Sequence, residues 1–196
     1  MITTDEQVKS FQCKIIGWYE KYGRVFPWRT TRDPYKVMIS EILLQKTHVR
    51  KVPEIFIKFI DQFPSITELS EAKIQNVIEI IRPLGFLNRA DRLIEIAKCI
   101  KLNYQGIIPN DFKILKSFKG IGNYIATAIL IFAYEKKMVV VDTNVIKVLR
   151  KELDFISKHK RPRNDKILWD FANTLAPEDK IKEFNWGLLD YGATLK

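Results

Sequence analysis

The sequence predicts an all-α protein, and three observations carry that prediction. Apolar residues recur at helical spacing through almost the whole length. The one run suited to a strand, Met138-Val139-Val140-Val141, has no second run to pair with, and four unpartnered residues make no sheet. No internal repeat, low-complexity tract or long linker interrupts the pattern.

Residues 8–22 place Val8, Phe11, Ile15, Trp18 and Tyr19 on one face of an amphipathic helix, which Gly23 and Pro27 interrupt. Asp33-Pro34 then opens a helix over 35–46. Val37, Met38, Ile39, Ile42, Leu43 and Leu44 make it apolar nearly all round, so it belongs in the core. Further helices are predicted over 52–63, 65–69, 71–80, 87–102 and 111–117. The same reading gives 123–134, 143–153, 162–175 and 180–191.

A chain of 196 residues makes one large domain or two small lobes and buries about 70% of its unfolded surface. The first twenty residues are polar and broken, with no membrane span or signal peptide, which makes a cytoplasmic or nucleoid-associated location the expectation. A net charge of +10 and an isoelectric point near 9.5 suit either a polyanionic partner or a solvated basic face. Cys13 and Cys99 each sit in an apolar helical context and read as buried thiols, with no disulfide framework. His48 and His159 are isolated, so no zinc site is expected.

Three places carry candidate chemistry. Gly120-Ile121-Gly122 must turn the chain between two helices, and glycine permits the positive φ such a turn can require. The turn reads either as an ordinary αα-hairpin or as an anion site, because the N–H groups opening the second helix point outward. Asp142 reads as the N-cap of the helix that begins at Thr143, or as an isolated carboxylate with a chemical task. Glu41 lies inside an otherwise apolar helix, where an uncompensated carboxylate costs several kcal/mol. A structural ion pair or an active-site acid accounts for it.

Phe118-Lys119-Gly120-Ile121-Gly122-Asn123-Tyr124-Ile125-Ala126, followed about twenty residues later by Val139-Val140-Val141-Asp142-Thr143-Asn144, resembles the helix-hairpin-helix, Gly/Pro-Asp superfamily of base-excision DNA glycosylases. Residues 26–49, reading FPWRTTRDPYKVMISEILLQKTHV, resemble the segment shared by MutY-type adenine glycosylases and archaeal thymine·guanine mismatch glycosylases. The likeness extends over residues 18–191.

The resemblance implies two helical lobes, 1–29 with 136–196 and 30–135, with Glu41 and Asp142 facing each other across an interlobe cleft. It implies cleavage of the bond between a flipped base and its sugar in double-stranded DNA by a monomeric enzyme. Asp142 would stabilise the oxocarbenium-like sugar, and Glu41 would protonate the departing base or orient the water. Tyr124 occupies the place where bifunctional relatives such as endonuclease III hold a Schiff-base lysine, which implies a monofunctional enzyme. Gln45, Lys46 and Thr47 match the loop that enters the gap left by the flipped base. Phe86 and Leu87 match a segment that wedges the stack, or else are ordinary core. Lys119, Gly120, Gly122 and Asn123 would contact phosphate, as would Lys116.

Two departures narrow the expectation. Most of these relatives place four cysteines after a segment like residues 184–193, binding a [4Fe–4S] cluster, whereas this sequence has none there, so no cofactor is expected. There is also no counterpart of the second domain with which MutY-type enzymes recognise 8-oxoguanine. That counts against 8-oxoguanine·adenine repair, and residues 26–35, FPWRTTRDPY, read closer to the thymine·guanine enzymes, so thymine or uracil opposite guanine is the expected substrate. Adenine opposite guanine or 8-oxoguanine is the alternative, since Gly85-Phe86-Leu87-Asn88-Arg89-Ala90 has the spacing of a MutY-type motif. A helix-hairpin-helix protein that binds DNA without catalysis is the reading from a different class.

Overall fold

The computed structural model describes residues 4–195, and among them every regular element is helical. The chain forms two compact units, one of Met1–Val25 with Glu135–Lys196 and one of Phe26–Tyr134. Residues 26–29, grouped by the sequence with the terminal lobe, belong to the second unit for a packing reason. Trp28 is buried, stacks on Phe26 at 4.8 Å and meets Phe56 edge-on at 5.6 Å. Glu135 in turn belongs to the first unit, where it pairs with Lys182 at 2.9 Å.

In the terminal unit, α1 (Asp5–Tyr22) packs on α11 (Ile181–Thr194), and α11 packs on α9 (Thr143–Leu153). Helix α10 (Lys166–Thr174) completes this unit. Thr4 and Gln7 form a capping box that starts α1, each satisfying the other's backbone N–H. The core of α1 is Phe11 and Ile15; Phe11 meets Phe184 of α11 edge-on at 5.9 Å. Cys13 lies two residues from each, on the opposite side of the helix, and is exposed, so the expectation of a buried thiol fails there. Cys99 is only half-buried, at the margin of the buried Ile96, Ala97 and Ile100 face.

The second unit holds α2 (Pro34–Leu44), α3 (Val52–Gln62), α4 (Ile66–Glu71), α5 (Ile74–Ile81), α6 (Arg89–Tyr104), α7 (Phe112–Ser117) and α8 (Asn123–Phe132). Helix α2 is its axis, buried from Val37 to Leu43 and packed on α3, α6 and α8. It ends at Leu44 rather than continuing through Lys46, which adopts φ 53 and turns the chain away. The predicted helix over 162–175 is also shorter: a 3-10 turn over Pro162–Asn164 precedes α10, which Asp165 caps by accepting from the Ile167 N–H at 3.0 Å.

The run Met138-Val139-Val140-Val141 is extended without being a strand. Side-chain amides stand in for a neighbouring strand: Val139 N–H donates to Asn173 Oδ1 and Val140 N–H to Asn185 Oδ1, each at 2.9 Å. Asn185, fully buried, returns its own donors to Met138 O at 3.1 Å and Ile181 O at 2.8 Å. The backbone of a buried irregular segment must find such partners.

Candidate active site and nucleic-acid interface

In the terminal unit this anchored segment delivers Asp142 to the start of α9. Asp142 is the N-cap, as one of the two readings held: Oδ1 accepts from the N–H groups of Asn144 and Val145, both at 2.8 Å. Among the described residues its other oxygen, Oδ2, accepts only from Asn144 Nδ2, at 3.1 Å. Burial raises the carboxyl above the ordinary aspartate range, against the opposing pull of those hydrogen bonds and of the Arg163 charge. Gly192 brings α11 against this corner: a Cβ there would lie 2.4 Å from Asn144 O and 2.6 Å from Asn144 C. Capping fixes the carboxylate without consuming both of its oxygens.

In the second unit, Glu41 is buried on α2, 6% exposed, among Ile39, Ile42 and Leu43. The hairpin between α7 and α8 follows the predicted place but uses its glycines unequally. Gly120 takes φ 92, and a Cβ there would meet Arg92 Nη1 at 2.6 Å. Gly122 is extended at φ −94 with open space around it, so only the first glycine supplies a positive φ. Helix α8 begins without a side-chain cap, which leaves N–H groups of its first turn directed outward, a suitable seat for a phosphate. Asn123 and Tyr124 are half-buried in that turn. Lys119 is exposed and lies 3.5 Å from Glu95, a pairing weak enough to yield to phosphate. Lys116 is exposed too, with Nζ over the Phe112 ring at 5.9 Å.

The three stretches expected to touch DNA are joined to one another within this unit. Gln45 Nε2 donates to Gly120 O at 3.1 Å, tying the end of α2 to the hairpin. Lys46 Nζ sits 5.5 Å from the Phe86 ring, and Thr47 Oγ1 accepts from Arg89 Nη2 at 2.9 Å. Phe86 is 53% exposed and held at φ 50, an unfavourable conformation for an aromatic residue; Leu87 is 39% exposed. Exposure removes both from the core.

Sequence reasoning missed Arg89, the residue that joins these loops. It is fully buried, and its guanidinium donates to Leu43 O at 2.6 Å, Gly85 O at 3.2 Å, Phe86 O at 3.3 Å and Ile42 O at 3.4 Å, besides Thr47. The carbonyls of Ile42 and Leu43 end α2, where the helix dipole is negative and a cation is favoured. Nothing in the sequence marks this arginine as internal, because arginine is ordinarily a surface residue.

Among the described residues no group of three or more His, Cys, Asp or Glu side chains is placed to hold a metal ion. A [4Fe–4S] cluster needs four thiolates, and the chain has Cys13 and Cys99 in separate units, so the residues present do not fit one. No helix of the described residues is long and apolar enough to cross a membrane.

Residues 39–173 match the family described as "HhH-GPD superfamily base excision DNA repair protein". A thymine-DNA glycosylase of Aeropyrum pernix is 37% identical over 188 residues, covering 94% of this chain and 84% of that protein. An adenine DNA glycosylase of Buchnera aphidicola subsp. Baizongia pistaciae is 33% identical over 186 residues, covering 94% of this chain and 52% of the relative. A solved structure described as a thermostable thymine-DNA glycosylase superposes with a TM-score of 0.89 at 31% identity, covering 99% of this chain and 89% of that one.

Proposed function

This chain belongs to the HhH-GPD superfamily of base excision DNA repair proteins, and from that premise we propose that it is a monofunctional DNA glycosylase removing thymine or uracil mispaired with guanine. The observation that carries the reading is the likeness to thymine-DNA glycosylases in both sequence and fold, along nearly the entire chain.

The chemistry follows from the two carboxylates. A base inside a duplex is out of reach, so the nucleotide is extruded at a cost of a few kcal/mol, which is smaller at a mismatch. The bond from C1′ to the base nitrogen breaks, the electron pair leaves with the base, and positive charge grows on the sugar. Asp142 supplies the opposing charge through Oδ2 while Oδ1 stays engaged with the start of α9. Glu41, on the rigid α2, delivers a proton to the departing base or aligns the water that adds to C1′. Tyr124 has no amine, so no Schiff base forms and the product is an intact strand with an abasic site. Gln45, Lys46, Thr47, Phe86 and Leu87 fill the vacated stack. Lys119, Gly120, Gly122 and Asn123, with Lys116 beside them, hold phosphate.

Adenine excision is the second reading, favoured by the 33% identity to an adenine DNA glycosylase over 94% of this chain. Base release from duplexes containing T·G, U·G, A·G, A·8-oxoguanine and no mispair, with and without alkali, separates the readings. Strand breaks confined to alkali-treated T·G and U·G duplexes are expected. Release from the adenine duplexes would replace the proposal with the second reading, and binding without release would make the protein a non-catalytic module.

A further inference from the structure

Residues 155–164, reading FISKHKRPRN, contain four permanent cations and no carboxylate. Lys158, Lys160, Arg161 and Arg163 are all exposed. Among the described residues none of the four enters an ion pair, whereas Lys14, Lys137, Lys166, Lys180 and Lys182 of the same unit each face a carboxylate. An uncompensated cluster of this kind repels itself unless a polyanion is its partner.

The loop is also built to hold its shape without those side chains. Ser157 Oγ donates to the buried Asp165 and accepts from the His159 N–H at 3.2 Å. Arg161 N–H donates to His159 Nδ1 at 2.9 Å, and Arg161 O accepts from the Asn164 N–H at 2.8 Å. Trp169 Nε1 donates to Arg163 O at 2.8 Å, pinning the loop to α10. None of these bonds uses a cationic side chain, which leaves the charged ends of the four residues free of the loop's own scaffold. The 3-10 turn Pro162–Asn164 at the end of the loop packs on α9, the helix that Asp142 caps, and the Arg163 charge acts on that carboxyl, so the loop and Asp142 share one region of the terminal unit.

We propose that loop 158–163 is a DNA-backbone contact surface, with Lys158, Lys160 and Arg161 seating phosphates of the duplex whose nucleotide reaches Asp142. This rests on the DNA reading above and adds a contact surface outside the hairpin. A fixed loop presenting cations loses little freedom on binding, which makes each contact more effective than one from a mobile tail.

Counterion release tests it. Each phosphate neutralised contributes about 0.9 to the slope of log K against log salt. The Lys158→Ala/Lys160→Ala/Arg161→Ala variant of the full chain is compared with wild type by fluorescence anisotropy, on a labelled fully paired duplex, between roughly 50 and 200 mM salt. Arg163 is retained because its charge acts on Asp142. The expected result is a slope shallower by about 2.7, with affinity lower by roughly 100-fold near 0.1 M salt. The charge-preserving variant Lys158→Arg/Lys160→Arg/Arg161→Lys should keep the wild-type slope. A slope unchanged to within about 0.5 in the alanine variant would overturn the proposal and leave a solvated basic surface. So would an equal loss in the charge-preserving variant, which would point to shape in place of charge. Because this duplex is undamaged and only binding is read, failure of wild type to release any base would count against the glycosylase reading and not against this surface.

Discussion

Replacing Arg89 with methionine is the most searching test of how the second unit works. Methionine fills a similar volume without charge, so the change strands the acceptors that the guanidinium now serves. Leu43 O at 2.6 Å and Thr47 Oγ1 at 2.9 Å are the strong partners, while Gly85 O, Phe86 O and Ile42 O lie between 3.2 and 3.4 Å. Hydrogen bonds to a charged group contribute about 1.5–3 kcal/mol each, and the two short ones dominate. Against them stands desolvation, which together with the neighbouring Arg92 charge lowers the pKa of Arg89 and so opposes its burial as a cation. The net expectation is a loss of about 3–5 kcal/mol for Arg89→Met, the range for breaking a buried charged network. Arg89→Lys, with three donors and no planar fork, should lose about 2 kcal/mol. Urea unfolding at constant m-value measures both, and a cycle with Thr47→Ala should return a coupling of about 1–2 kcal/mol. A loss below about 1 kcal/mol for Arg89→Met would refute the reasoning, since it would mean that the five acceptors rehydrate freely.

Asp142→Asn keeps an oxygen for the Asn144 and Val145 N–H groups, so stability should fall by less than about 1 kcal/mol while base release drops about 1,000-fold and duplex binding persists; retained turnover in a quenched single-turnover assay would sink the assignment. Because the Asp142 carboxyl is raised in the folded state, it binds its proton more tightly there than in the unfolded chain. Its contribution to stability therefore grows as pH falls through the folded pKa, while base release falls along the same limb. Single-turnover rates should show that limb above the ordinary aspartate range, moving further up in Arg163→Gln, and a limb within the ordinary range would contradict the burial argument. Phe86→Gly relieves about 1 kcal/mol of backbone strain and forfeits a comparable contact with Lys46, so melting should barely move while base release slows about tenfold; equal losses in both would make Phe86 merely structural.

The helices were legible because their signals are local. Asp33-Pro34 opens α2, Ser65 and Asp111 cap α4 and α7, and apolar spacing marks the buried face of each. Glu41 stood out for the same reason, as one acid in an apolar period. Arg89 and Asn185 did not, because their roles depend on hydrogen-bond partners 42–47 residues away in the chain, which no periodicity encodes. The loop at 158–163 was equally hidden. A run of basic residues reads as a solvated face until the carboxylates that pair with Lys137, Lys166 and Lys180 of the same unit are seen to be elsewhere.

Capping and chemistry, opposed as readings of Asp142, are compatible in this geometry. A carboxylate placed on a mobile loop would lose orientation each time the loop moved, and a small misplacement costs much of a rate. At the start of α9 its Oδ1 is held by two backbone donors, and the preceding residues are held in turn by Asn173 and Asn185. The donors that orient the group also draw its proton affinity down, opposing the rise that desolvation causes. A segment with no sheet to belong to, pinned by buried amides and ending in an N-cap, is thus a way of fixing one oxygen of Asp142 while the other is held by a single side-chain amide.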